Sequence, residues 1–136
     1  ESEKLVCTID MAASFSKLVG AELKKDSCID SFNVLGAILG EKGAKGRDHL
    51  VQQDNGRGGN YGLRVGNWKL QRHDSKKARN VKVEVHLTNT NVTRYRLYDL
   101  SKDPGEKKNV IDTHPEVAKR LIVQLQKVIT DGRSRH

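Results

Sequence analysis

The stretch Tyr61-Gly-Leu-Arg-Val-Gly-Asn-Trp-Lys-Leu-Gln-Arg72 constrains the fold more than any other. Two alternating runs, Tyr61/Leu63/Val65 and Trp68/Leu70, flank the dipeptide Gly66-Asn67. Glycine and asparagine tolerate positive φ, so the pair can close a two-residue hairpin of the primed type. That turn sets Val65 opposite Trp68 and Leu63 opposite Leu70. With a side-chain period of two, Tyr61, Leu63, Val65, Trp68 and Leu70 then share one face. Arg64, Lys69 and Gln71 share the other. The first face is predicted to be core, with Trp68 inside it, and the second to be wet.

Other segments extend this unit. His49 to Gln52 reads as a short strand. Val81, Val83, Val85 and Leu87 alternate with Lys82, Glu84 and His86, the pattern of a half-buried strand. Arg94 to Leu100 gives another, with Tyr95 and Leu97 facing inward. In the loop that follows, Asp103-Pro-Gly-Glu106 marks a turn, through proline's restricted φ and glycine's freedom. Thr113-His-Pro-Glu116 reads as a capping box with proline in the first helical turn. Val117, Leu121, Leu125 and Val128, with Ile122 and Ile129 beside them, form an apolar stripe, and Gly132 ends the helix. Residues 133–136 are expected to fray. Strands in a run followed by a helix imply an α+β fold: a small antiparallel sheet of about four strands packed by a C-terminal helix.

The first third is helical in pattern. Residues 5–19 read as a helix, capped by Thr8 or Asp10, striped by Met11, Phe15, Leu18 and Val19, and ended by Gly20. Phe32, Val34, Leu35, Ile38 and Leu39 require burial, and a Leu39-Gly40 stop closes a second short helix. Residues 41–47 are charged and rich in glycine, a domain boundary in character. The chain divides on this reading into 1–40 and 41–136.

Composition narrows the function classes. Of 136 residues, 35% are hydrophobic, 4% aromatic and 31% charged, with a mean hydropathy of −0.67, which suits a small core and not a large one. No apolar run approaches the ~20 residues that span a bilayer, so no membrane contact is expected. The chain opens at Glu1 without methionine, as expected of a segment from within a longer protein. The net charge of +8 concentrates in residues 41–82, where eleven Lys or Arg face four Asp or Glu. Such a field favours anionic partners, or is simply a solvated surface. Cys7 and Cys28 make neither a disulfide framework nor a zinc site; they read as small buried apolar residues, or as one bridge in an exported protein. Residues 53–59, Gln-Asp-Asn-Gly-Arg-Gly-Gly, fall short of a nucleotide loop, since Tyr61 stands where the last glycine belongs and no Walker lysine follows. Asn91-Val-Thr93 matches a glycosylation acceptor.

Leu63-Arg-Val-Gly-Asn-Trp-Lys-Leu70, Leu97-Tyr-Asp-Leu-Ser-Lys-Asp-Pro-Gly-Glu-Lys-Lys-Asn109 and His114-Pro-Glu-Val117, in this order and spacing, resemble the C-terminal region of sulfatases. The resemblance extends over nearly the whole chain. It implies that residues 1–40 end a larger α/β catalytic domain of alkaline-phosphatase-like fold, and that 41–136 form the family's smaller C-terminal domain. It also implies a parent enzyme of the arylsulfatase type, a sulfuric ester hydrolase dependent on formylglycine and calcium, in the periplasm or outside the cell.

The chemistry of that family is not written in these residues. Its nucleophile arises from Cys or Ser in Cys/Ser-x-Pro/Ala-x-Arg, which neither Cys7, Cys28 nor any serine satisfies. No Asp-Asp pair exists, and Asp54-Asn55 reads as a turn. No catalytic and no metal-ligating residue is therefore assigned, and the segment alone is expected to be inactive. In related enzymes the smaller domain helps form the rim of the cleft. The candidates for substrate binding are accordingly Gln53, Asn55 and Arg57 in the polar loop, with Arg64 and Lys69 on the basic hairpin face. The expected partners are the segment's own catalytic domain and a sulfated small molecule or polysaccharide. Apolar Phe15, Phe32, Leu35 and Leu39 would drive self-association without that domain. Two rival classes remain, a non-catalytic carbohydrate-binding module and a nucleic-acid-binding one; against the latter stands the shortage of aromatics for stacking.

Overall fold

A computed structural model describes residues 3–54, 60–73 and 93–135. The predicted strand over Val81–Leu87, the acceptor Asn91 and the loop residues Asn55 and Arg57 lie outside them. The elements are a 3-10 turn at Thr8–Asp10, α1 (Met11–Leu18), α2 (Leu35–Leu39), β1 (Leu50–Gln53), β2 (Tyr61–Val65), β3 (Trp68–Arg72), β4 (Tyr95–Asp99) and α3 (Pro115–Asp131). They form two units, Glu1–Leu50 with Gln124–His136, and Val51–Val123.

The second unit holds the sheet, in the order β1-β2-β3-β4, with β3 antiparallel to both β2 and β4. Val65 pairs with Trp68 and Leu63 with Leu70, the predicted register. Gly66 carries a φ of +56° and Asn67 no positive φ, which fits a type II′ turn rather than I′. Leu63, Leu70 and Leu97 stand in one row across three strands, each 0% exposed. Each such side chain stabilises by about 1.5–3 kcal/mol relative to exposure. Ala118 and Leu121 of α3 are buried in the same unit. Trp68 departs from expectation: it is half-buried, its ring 5.0 Å from that of His114. The outer edge of β4 is closed, because Leu97 N–H donates to Asn109 Oδ1 and Val110 N–H to the Leu97 carbonyl. Pro115 takes the first position of α3, and the first helical bond closes on the His114 carbonyl. The Thr113 hydroxyl of the predicted capping box donates to the Val110 carbonyl. Gly132, at φ +63°, ends α3 as expected.

The first unit corrects more of the sequence reading. Its predicted helix over 5–19 is shorter, a 3-10 turn running into α1, and its apolar stripe faces outward. Phe15 is 54% exposed, Leu18 60% and Val19 75%, and on α2 Leu39 is 61% exposed. The buried face is instead Asp10, Ala13 and Ser14, at the i, i+3, i+4 spacing of one helical side. Its short polar groups stitch the chain that follows. Ser14 Oγ accepts from Val34 N–H, Ser31 Oγ from Ala13 N–H, and Asp10 Oδ1 from Phe32 N–H. Asp10 caps no α1 amide; its other oxygen accepts from Cys7 N–H, and Arg47 Nη1 meets Oδ1 at 2.6 Å. Gly46 lets the backbone reach that centre, because a Cβ there would stand 2.5 Å from the Leu5 carbonyl that accepts from Arg47 N–H. Both cysteines are free, Cys7 half-buried and Cys28 exposed, so neither is the buried apolar residue expected. The tail docks rather than frays: Ser134 N–H donates to Asp30 Oδ1 and Arg135 N–H to the Ile29 carbonyl.

Candidate functional site

The sheet face opposite the leucine row carries Gly62, Arg64, Lys69 and Gln71, and it is not the open, wet surface the alternation predicts. The Asp99–Asn109 loop folds back over part of it. Tyr98, the register partner of Lys69, is 4% exposed there. Burial pushes the Tyr98 hydroxyl above the usual tyrosine range. Glu106 N–H closes the predicted turn onto the Asp103 carbonyl. The positive φ falls on Glu106 (+54°) and not on Gly105, a conformation that a side chain adopts only when its surroundings impose it. The imposition is visible. Glu106 Oε1 meets Lys69 Nζ at 2.6 Å, and its Oε2 accepts from Gln71 Nε2 at 2.5 Å. Asp103 reinforces the loop by accepting from Lys108 N–H, and the Lys108 and Lys107 amides hold its carboxyl below the usual carboxylate range.

Beside this clamp, toward β1, lies an open pocket of about 320 Å³. Its lining includes Gln52, Gln53, Asn60, Gly62, Lys69 and Gln71. Asp54 N–H donates to the Asn60 carbonyl, and Asn60 Nδ2 to Asp54 Oδ2 at 2.7 Å, so the two ends flanking residues 55–59 are tied together. The Arg72 guanidinium stands 5.7 Å from the centre of the Tyr61 ring. Of the sequence candidates, Gln53 and Lys69 line this pocket. Arg64 is the cross-strand neighbour of Lys69 but does not line the pocket; its Nε donates to the Gly66 carbonyl and braces the turn. Sequence reasoning placed Asn60 at the end of the candidate loop and Gln71 on the wet face, but missed Glu106, whose turn was legible but whose partners lie thirty-five and more residues away.

The first unit has a polar centre of another kind. Arg47 and Asp10 form an ion pair with side chains 1% and 0% exposed. The same guanidinium donates to the His49 and Asp30 carbonyls and lies 4.5 Å over the Phe32 ring. This arrangement holds the chain together and presents nothing to a substrate. Among the described residues no three His, Cys, Asp or Glu gather to hold a metal ion, so calcium finds no fitting site in them. No helix of the described residues is long and apolar enough to cross a membrane.

No family model matches the sequence. The N-acetylgalactosamine-6-O-sulfatase of Bacteroides thetaiotaomicron is 33% identical over 130 residues, which take in 96% of this chain and 24% of that protein. The chain thus spans about a quarter of this relative's length. A solved structure from work on the metabolism of multiple glycosaminoglycans by Bacteroides thetaiotaomicron superposes with a TM-score of 0.77 at 32% identity, over 95% of this chain and 26% of that one. A protein solved with its substrate D-glucosamine-2-N,6-O-disulfate shares the fold at a TM-score of 0.56 and 18% identity, over 90% of this chain and 24% of its own. By this identity along nearly the whole chain and this superposition, the chain is the C-terminal region of a sulfatase.

Proposed function

We propose that the protein carrying this chain hydrolyses sulfate esters on an amino sugar, and that this chain is its C-terminal quarter. The observation that carries the reading is one-third identity to an N-acetylgalactosamine-6-O-sulfatase along nearly the whole chain. The nucleophile, formylglycine in this family, and the calcium that neutralises the sulfate oxygens then belong to sequence upstream. The role of the present residues is structural in the first unit and substrate-facing in the second. Phe15, Leu18, Val19 and Leu39, all more than half exposed, form the surface on which the catalytic domain seats. Gln53 and Lys69 mark the part of the second unit that faces substrate.

The test is turnover by the full-length protein, with calcium, of 6-O-sulfated N-acetylgalactosamine and of a chromogenic aryl sulfate. Sulfate release from the sugar is the expected result, with none from the purified 136-residue chain. A full-length protein that releases sulfate from no ester overturns the activity, and turnover scaling with the short chain overturns its assignment as a non-catalytic part.

A further inference from the structure

We infer that residues 133–135 are a latch on the loop of residues 24–30, and that releasing it turns the peptide bonds after Lys24 and Lys25 into sites of proteolytic cleavage. All of these residues belong to the first unit, and the inference stands apart from the sulfate-ester activity.

The loop lies between α1 and α2 and does little to hold itself. Its own backbone closes turns from Ser27 N–H to the Lys24 carbonyl and from Ser31 N–H to the Cys28 carbonyl. No residue from 24 to 30 is buried, and Lys24, Lys25, Asp26 and Cys28 are exposed. Cys28 carries a φ of +49°, which a side chain takes only where its surroundings impose it. Here Arg135 imposes it, by gripping the carbonyls on either side. Its N–H donates to the Ile29 carbonyl at 2.9 Å, and its Nη2 to the Ser27 carbonyl at 2.5 Å. Ser134, 8% exposed, donates its N–H to Asp30 Oδ1 at 2.7 Å. The Asp30 carbonyl in turn accepts from Arg47 Nη1, so the latch is continuous with the buried Arg47–Asp10 pair.

The two lysines are where the latch acts on chemistry. Arg135 Nη2 also lies 3.5 Å from the Lys24 carbonyl. Arg133 Nη2 donates to the Lys25 carbonyl at 3.2 Å and to Asp26 Oδ1 at 3.3 Å. A serine endoprotease must take the carbonyl oxygen of the bond it cuts into its oxyanion hole. Water then adds across that bond, leaving a carboxylate on the lysine and an amine on the residue after it. With the latch closed, the lysine side chains are displayed but both of the carbonyls such a protease needs are tied to arginines. Opening costs mainly these hydrogen bonds, which makes it a local event and not a global one.

The experiment is timed digestion of the full-length protein with a lysine-specific endoprotease, which spares the arginines, with the fragments read by mass spectrometry. Changing Arg133→Ala and Arg135→Ala together is expected to speed cleavage after Lys24 and Lys25 about tenfold, the factor that losing two modest hydrogen bonds gives. Cleavage of a transiently opened segment follows its population, so the rate reads the opening. Cleavage after Lys119 and Lys127, both within α3, is expected to keep its wild-type rate. Arg133→Ala alone, at a side chain 21% exposed, is expected to speed cleavage after Lys25 about threefold. Hydrogen exchange of the wild-type protein is expected to show residues 24–30 and 133–135 opening together. Unchanged cleavage after Lys24 and Lys25 in both variants overturns the inference, as does free-chain exchange of the Ser134 and Arg135 amides. Where the double variant is cut faster at every lysine, Arg133→Ala decides: equal acceleration after Lys119 and Lys127 there overturns the latch, and acceleration confined to Lys24 and Lys25 upholds it.

Discussion

Asp10→Ala is the most severe single change this structure predicts. The carboxylate is fully buried and has three donors: Cys7 N–H, Phe32 N–H and the Arg47 guanidinium. Removing it leaves a guanidinium whose side chain is 1% exposed without its counter-charge. An uncompensated buried charge of this kind costs about 3–5 kcal/mol. Each orphaned amide adds about 1 kcal/mol, less for Cys7, which water can reach. The sum is a large part of the roughly 7–20 kcal/mol expected for a chain of this size. Adding Arg47→Met to Asp10→Ala should restore part of the loss, since a buried pair replaced by apolar groups is often near neutral. Recovery stays partial because Arg47 also serves the Asp30 and His49 carbonyls. Urea unfolding followed by circular dichroism reads both variants. A loss under about 1 kcal/mol for Asp10→Ala, or no recovery in the double variant, refutes the reasoning.

Three further outcomes are expected. Leu70→Ala, at a position 0% exposed, should cost about 2–5 kcal/mol in urea melts, whereas Trp68→Ala should cost about 2 kcal/mol, near half the value for a fully buried aromatic; a Trp68 loss above about 4 kcal/mol would place that ring in the core after all. Because the Tyr98 hydroxyl titrates above the usual range, mainly through burial, its contribution is fully present below pH ~10 and is lost as pH rises through the folded value. Tyr98→Phe should therefore flatten the alkaline loss of stability, and a variant with the wild-type alkaline profile contradicts the assignment. The isolated chain, with Phe15, Leu18, Val19 and Leu39 exposed, should self-associate in light scattering across a dilution series, whereas a monomer at every concentration argues against that surface being a docking face.

The parts of the fold that were legible in the sequence are those whose causes are local. Gly66-Asn67 and the alternation around it determine the hairpin register within a dozen residues, and Pro115 and Gly132 bound α3 from its own two ends. The parts that were not legible depend on distant partners. Helical periodicity around Met11, Phe15 and Leu18 indicates an amphipathic helix but not which face is covered. Here the polar face is, because Arg47, thirty-seven residues on, and the amides of residues 32 and 34 satisfy Asp10 and Ser14. The same holds at the pocket. Gln53 and Lys69 were legible as polar groups on a basic surface. That Glu106 would neutralise Lys69, and that Tyr98 would be buried on the second face, depended on where a loop folds back.

The docked tail has a consequence for how the protein is made. Asp30 receives the amide of Ser134, 104 residues later, and Arg135 reaches the carbonyls of Ser27 and Ile29. On the ribosome, residues 3–50 emerge long before the segment that closes their unit. The sheet unit, contiguous from Val51 to Val123, has all its parts sooner. Long-range closure is slow relative to local pairing, so the hairpin should be in place while Asp26–Asp30 still lacks its last partners. During that interval the nascent chain displays an unfinished surface, and a chaperone that binds the growing polypeptide would find its footing near residues 24–30.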